Sequence, residues 1–287
     1  MENCFFVSDL HGDEGRYRKL FDAIANEQPE GVFLGGDLLP SGLSSNPVDR
    51  GGYEDFINDF FVPELRQCKE ALGDNYPRVF LILGNDDFRS EEPKFLGSGT
   101  VGIFEYMHYR RADFDKHIVY GYSHVPPSPF QLKDWERYDV SRYVDPGCVS
   151  PERGSRTVPV AESRARYSTI KNDLEKLIGN ENLGKGILLF HAPPYKTKLD
   201  RAALDGKMID YVPLDVHVGS IAVKRFIKAR QPLVTLHGHI HESASITGSW
   251  REKIGRTHMF SAAHDGSQLA LVRFDLENLD AATRELI

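Results

Sequence analysis

Val234-Thr235-Leu236-His237-Gly238-His239-Ile240-His241 runs from apolar and β-branched residues straight into a glycine and two histidines one residue apart. The apolar run predicts a buried strand, with Gly238 as the point where the backbone leaves the sheet. If the chain stays extended there, alternate residues share a face, so His239 and His241 would point the same way. Two imidazoles at that spacing suit a metal and require carboxylates from elsewhere in the chain. A Gly-His-x-His segment alone is weak evidence, and its weight depends on what the other strands deliver.

The chain has 287 residues, 40% of them hydrophobic, enough for a sizeable core. A net charge of −7 and a pI near 5.9 argue against a broad nucleic-acid footprint, which would be basic. Cys4, Cys68 and Cys148 are scattered and odd in number, which points to a reducing compartment and no disulfide framework. The opening residues lack a basic segment followed by a long apolar run, and no stretch reaches membrane-spanning length. The expectation is a cytoplasmic globular protein.

Cys4-Phe5-Phe6-Val7-Ser8 is a short apolar run ending in Asp9-Leu10-His11-Gly12. Tyr17, Leu20, Phe21 and Ile24 then recur at helical spacing, and Val32-Phe33-Leu34 forms a second strand ending in Gly35-Gly36-Asp37. Asp9 and Asp37 are 28 residues apart, the span of one strand–helix–strand crossover. Two parallel neighbours should therefore carry both acids at their carboxyl edge. After a polar, glycine-rich loop over Pro40–Gly52, Phe56, Phe60, Phe61, Leu65, Cys68 and Leu72 predict another helix, kinked or restarted at Pro63. Val79 to Leu83 is a third strand, with Gly84-Asn85-Asp86-Asp87 at its exit.

Val119 to Tyr122 reads as a further strand, and Tyr167, Ile170, Leu174 and Leu177 as one helix. Ile187 to Phe190 forms a strand ending in His191. Ser220 is placed to cap a helix bearing Ile221, Val223, Phe226 and Ile227, and Met259-Phe260 and Leu269–Phe274 read as closing strands. The whole of 1–287 is read as a single domain with a loop-rich insertion at about 125–162, rich in proline and aromatic residues. Its arginines Arg137, Arg142, Arg153 and Arg156 either face an anionic substrate or belong to a solvated surface with Asp134, Glu136 and Glu152.

Asp9, His11, Asp37, Asn85, His191, His239 and His241 all follow apolar strands, where α/β sheets place ligand sites. Carboxylate, amide oxygen and imidazole together suit Mn, Fe, Zn or Ni as divalent ions. One ion would be overcrowded by seven ligands, whereas two ions sharing Asp37 would each keep room for water. A pair of dications activates water and stabilises both oxygens of an in-line displacement at phosphorus.

The blocks Asp9-Leu10-His11, Gly36-Asp37, Gly84-Asn85, His191 and Gly238-His239-Ile240-His241 resemble, in that order, the signature of the calcineurin-like metallophosphoesterase superfamily. The resemblance implies an α/β fold built as a four-layer α/β/β/α sandwich. It implies Asp9, His11 and His241 on one metal, Asn85, His191 and His239 on the other, and Asp37 as the bridge. It further implies a metal-bridging hydroxide as nucleophile, with no covalent protein intermediate.

One block departs from the family. Asp86 stands where a histidine usually follows Gly-Asn and helps to protonate the leaving oxygen. An aspartate with an ordinary pKa near 4 would be ionised at neutral pH, and dications would favour that form further. Asp86 would be a poor acid; it points away, binds a water or builds the turn. Asp37, Asn85, Asp86 and His239 are the candidate catalytic positions, and Asn85, Arg153, Arg156 and His217 the candidate substrate contacts. His217 precedes an expected helix start whose N–H groups suit a phosphate, although a simple cap is the stronger reading. Asp87 reads either as an acceptor for a ligand histidine or as a turn residue.

The expected function is hydrolysis of a small phosphodiester or nucleotide-like phosphoester, using two divalent ions. A nucleotide pyrophosphate hydrolase is the first alternative, because a good phosphate leaving group needs less protonation. A non-catalytic scaffold on the same fold is the second, and retention of every metal ligand counts against it. A membrane partner is not expected, nucleic acid is disfavoured, and the sequence says nothing about oligomeric state.

Overall fold

Strand alternation decides the layering. In β1 (Asn3–Val7), Phe5 and Val7 face one side while Cys4 and Phe6 face the other, and every one of the four is fully buried. A strand with both faces buried needs a packed layer on each side. In this computed structural model, which describes residues 3–41, 53–97 and 100–287, those layers are helices outside and a second sheet inside.

β1 pairs in parallel with β2 (Gly31–Gly35), β2 with β3 (Arg78–Ile82), and β3 with the short β4 (Glu105–Tyr106). Antiparallel β13 (Ala270–Asp275) and β14 (Asn278–Leu286) complete this six-stranded sheet. The second six-stranded sheet runs β11 (Arg251–Ile254), β12 (Thr257–Ser261), β10 (Val234–His237), β7 (Gly186–Phe190), β6 (His117–Tyr122) and β5 (Arg110–Phe114). Its four central strands are parallel, with antiparallel edges. A separate small hairpin pairs β8 (Met208–Ile209) with β9 (Val212–Pro213).

Phe6, Phe33, Phe80, Ile82, Ile187, Leu189, Leu236, Phe260 and Phe274 fill the space between the sheets. On the first sheet's outer face lie α1 (Glu14–Glu27) and α2 (Val62–Leu72), through Tyr17, Leu20, Phe21, Ile24 and Leu65. The short α3 (Glu92–Phe95) adds Phe95 to the same outer layer. On the second sheet's outer face lie α5 (Ile170–Ile178) and α6 (Ile221–Arg230), through Ile170, Leu174, Val223 and Ile227. The result is the expected four-layer α/β/β/α sandwich. Burial of this many Phe, Leu, Ile and Val side chains, each contributing about 1.5–3 kcal/mol, dominates its stability.

Local signals agree with the sequence in most places. Asp13 caps α1 by accepting from the Arg16 N–H at 3.0 Å, and Ser220 caps α6. Pro63 lies in the first turn of α2, where a missing N–H costs little, after a π-helical turn over Ile57–Phe61. The single helix expected from Tyr167 to Leu177 is instead two. α4 (Glu162–Tyr167) ends at Ser168 in extended backbone, and Thr169 starts α5 by capping Asn172. Tyr167 therefore lies on a separate element and is 62% exposed. The glycine-rich loop expected over Pro40–Gly52 lies outside the described residues from position 42 onward. Among the described residues, no helix is long and apolar enough to cross a membrane.

The segment 125–162 carries only isolated bridges, Val125 to Glu136 and Leu132 to Ser155 among them. It is nonetheless anchored. Trp135 is fully buried and donates its indole N–H to the Asp87 carbonyl at 2.8 Å. Asp134 accepts from the Arg89 and Thr157 N–H groups at 2.9 Å each, and Lys133 pairs with Glu136 out of contact with solvent. Asp134 and Glu136 thus belong to the interior rather than to a solvated face, because each has a partner there.

Candidate metal centre

The carboxyl ends of β1, β2, β3, β7 and β10 meet at one rim, so residues from both sheets converge. The backbone there is unusual: Asp9, His11, Asp37 and His239 all have positive φ, at 58°, 48°, 51° and 74°. Left-handed backbone is uncommon outside glycine, though Asp and His tolerate it better than most residues. Four such residues at one rim turn their side chains inward rather than along the strands. β10 ends at His237 and the chain turns left-handed at His239, so the condition of an extended chain past Gly238 is not met and strand alternation does not align the two histidines.

Instead they serve two neighbouring groups. His241 Nε2 stands 3.2 Å from Asp9 Oδ1 and 3.2 Å from His11 Nε2. Asp9, His11, Asp37 and His241 each bring a donor atom into a cluster within 4.8 Å. On the other side, His191 Nε2 stands 3.0 Å from Asn85 Oδ1 and 3.2 Å from Asp37 Oδ2. The His239 ring lies 5.1 Å from the His191 ring, centroid to centroid. All seven expected ligand positions are thus at one place, with Asp37 between the two groups.

His191 provides the test of whether a cation fits. Its Nδ1 is 2.8 Å from the Gly35 carbonyl, an acceptor, so Nδ1 carries a proton and donates it. Nε2 then faces two oxygens that have no hydrogen to offer. Three lone pairs converge there, and only a proton or a metal ion satisfies them. Ligands about 2.1 Å from one ion and at right angles stand about 3.0 Å apart, close to the spacing seen. The donor set fits borderline divalent ions.

Electrostatics says the same. Burial disfavours charge on His191, yet Asp37 and Asp9 outweigh it and lift the imidazole to about 9. Burial also opposes charge on His11, but Asp86, Asp37 and Asp9 raise it to about 9. Asp9 is held at about 2 because His241 and His191 overcome its burial, and Asp37 is lowered by the same logic. His239, pressed by burial and by the charge on His191, falls to about 3 and is neutral. Protonated histidines thus supply the positive charge that the buried acids require.

The supporting contacts are less visible in the sequence. Asp86 does not point away: its Oδ2 lies 3.3 Å from His11 Nδ1, and its Oδ1 accepts from Ser41 Oγ at 3.2 Å. Its N–H donates to Asp37 Oδ1 at 2.8 Å. A carboxylate on the outer nitrogen of a ligand histidine fixes its ring and tautomer. Asp87 is the turn residue of the two readings. It accepts from the N–H groups of Gly84 and Leu39 at 2.8 Å and of Leu38 at 3.0 Å, locking the β2 and β3 exits together. Arg16 donates to the Asp9 carbonyl at 2.6 Å, a contact across a turn that no spacing rule announces. A side chain at Gly84 would collide with Asp37, and one at Gly238 with Ser8 and Asp9, so close approach requires both glycines.

The other expected substrate contacts are elsewhere. Arg156 donates to the carbonyls of Lys133 and Pro151, and Arg153 faces a separate hollow beside Tyr138 and Glu152. Arg137 is buried against Asp173, and Arg142 binds Glu152 at 2.7 Å. His217 is tied to Asp200 at 2.8 Å, and the nearby α6 N-terminus is already filled by Asp139, which accepts from Ile221 N at 2.6 Å. That leaves little for a phosphate to bind there.

A pocket of about 510 Å³ opens directly above the cluster, with His11, Asp37, Asn85, Asp86, His239 and His241 on its floor. A solved crystal structure shares the fold at TM-score 0.62 and 16% identity, covering 99% of this chain and 98% of that one. The crystal structure of TT1561 of Thermus thermophilus aligns at TM-score 0.53 and 16% identity, over 99% of this chain and 98% of that one. No curated protein sequence gives a significant match. The family model for calcineurin-like phosphoesterases matches residues 4–243, spanning every strand exit that carries a donor, and the chain belongs to that family.

Proposed function

We propose that this protein hydrolyses a small phosphodiester or nucleotide-like phosphoester with the help of two divalent ions drawn from Mn, Fe, Zn and Ni. The observation that carries the reading is the convergence of lone pairs at His191 Nε2, faced by Asp37 and Asn85 at 3.2 and 3.0 Å. Asp9, His11 and His241 would hold one ion, Asn85, His191 and His239 the other, with Asp37 between them. When bound, the pair supplies Lewis-acid activation of water and charge neutralisation at phosphorus. The chain's own residues do the rest. Gly35 fixes the His191 ring, Asp86 fixes the His11 ring, and Asp87 holds the Asp37 loop against the Asn85 turn. With its amide oxygen turned to His191, Asn85 keeps its NH₂ for a phosphoryl oxygen. The segment 125–162 is read as an insertion into a single domain, forming one wall of the pocket. Cys4, Cys68 and Cys148 are not joined in disulfides, which supports a reducing, cytoplasmic setting.

The test is metal analysis after Mn²⁺ loading, paired with Asp37→Asn. Two ions per chain are expected, with loss of both and an activity drop of at least about 10²-fold in the variant, since even outer partners of ligands are worth about 10–100-fold. Full activity in Asp37→Asn, or no bound metal, overturns the reading.

A further inference from the structure

The walls of the pocket, rather than its floor, indicate the kind of ester it takes. Besides the metal cluster, the pocket is lined by the apolar residues Pro126, Pro127, Phe130, Leu132, Leu204 and Val218. The pocket continues past Pro126, Pro127, Leu204 and Val218 into a second chamber of about 320 Å³. Among the described residues, neither chamber is lined by a lysine or arginine. Instead the first carries Asp86 and Glu242, and the second Asp139, Asp145 and Asp215. The helix terminus beside the second chamber, the usual reserve for a phosphate, is consumed by Asp139, which accepts from Ser220 Oγ and Ile221 N at 2.6 Å each. Away from the metal cluster, a second phosphate would meet several carboxylates and, among the described residues, no lysine or arginine, at a cost rather than a gain. An apolar group would instead bury surface against proline, leucine and phenylalanine.

We infer that this site selects phosphodiesters with a single negative charge whose second substituent is apolar and preferably aromatic, with Phe130 and Leu204 as specificity-determining residues. The inference rests on the phosphoesterase reading for its chemistry but not for its binding preference. Phe130 is 53% exposed at the mouth of the pocket, so nothing in the described structure is displaced when a ring packs on it. Aromatic pairs gain beyond simple burial, which is the reason for preferring an aryl group over an alkyl chain. The same features disfavour a nucleotide pyrophosphate, which would bring further charge into the acidic walls.

Two measurements on Mn²⁺-loaded protein separate this inference from the reading beneath it. In the first, kcat/KM is compared for bis(p-nitrophenyl) phosphate and methyl p-nitrophenyl phosphate, corrected for the two equivalent leaving groups of the former and for the intrinsic reactivity of each ester. Because both release the same phenolate, the corrected ratio reports the second substituent. In the second, calorimetry compares binding of diphenyl phosphate and dimethyl phosphate, with no turnover required. The expected preference for aryl is at least about tenfold in both, falling towards one in Phe130→Ala and in Leu204→Ser. Aryl-selective binding that depends on Phe130, without turnover of any ester, would uphold the pocket and defeat the phosphoesterase reading. Turnover of both esters with equal corrected efficiency, or a ratio that Phe130→Ala and Leu204→Ser leave untouched, would overturn the inference alone.

Discussion

His191 and Asp37 meet across the gap between the two sheets, Nε2 to Oδ2 at 3.2 Å, although one follows β7 and the other β2. The His191 ring also donates from Nδ1 to Gly35, again in the opposite sheet. The centre therefore exists only when the two sheets are in register. Fold integrity and site geometry are one property here, and metal binding should report on both.

The first consequence is a pH dependence that reverses with metal. A histidine whose folded pKa exceeds its ordinary 6.5 adds stability that is complete below 6.5 and lost as pH rises through the folded value. His11 and His191, both at about 9, should make the chelated protein less stable between pH 6.5 and 9. Metal displaces those same protons, so apparent metal affinity should rise across the same window. Melting temperatures with chelator should fall with pH, while those at limiting Mn²⁺ should hold or rise. Parallel curves would remove these histidines from the ligand set.

Asp86 should behave as a positioning residue for His11 rather than as a failed acid. Asp86→Ala is expected to weaken metal affinity about 10–100-fold, with Asp86→Asn recovering part of the loss through its remaining oxygen. A plot of log kcat against leaving-group pKa at saturating metal should keep its slope in Asp86→Ala, because no proton donor has been removed. An altered slope with unchanged metal affinity would return Asp86 to the chemistry.

Arg156 should matter to stability and not to substrate. Its hydrogen bonds to the Lys133 and Pro151 carbonyls hold the insertion closed. Arg156→Ala should cost about 1–3 kcal/mol in denaturant unfolding, the usual worth of bonds from a charged donor. KM for bis(p-nitrophenyl) phosphate should stay unchanged in Arg153→Ala. A raised KM there, with stability intact, would restore these arginines as substrate contacts.

By itself, the sequence determined the central strands, the main helices and the donor residues. Short or edge elements such as β4, β5, β11 and the β8–β9 hairpin were not legible in it. Hydrophobic runs such as Val79–Leu83 and Ile187–Phe190 specify strands because each buried apolar side chain has only the core to go to. Polar residues placed immediately after such runs can only lie at sheet edges, which is why Asp9, Asp37, Asn85, His191 and His239 were legible as one set. The helix break at Ser168 was less legible, since the apolar spacing from Tyr167 continues smoothly across it. What tertiary structure decided was the direction and pairing of side chains. The left-handed turn at His239, the partnership of Asp86 with His11, and the clamp of Asp87 on Leu38, Leu39 and Gly84 depend on backbone dihedrals and cross-chain distances. So does the fate of the arginines, whose long flexible stems find carbonyls and carboxylates that are near only after folding. Periodicity records which face a residue occupies; partners hundreds of positions apart are set when the two sheets pack.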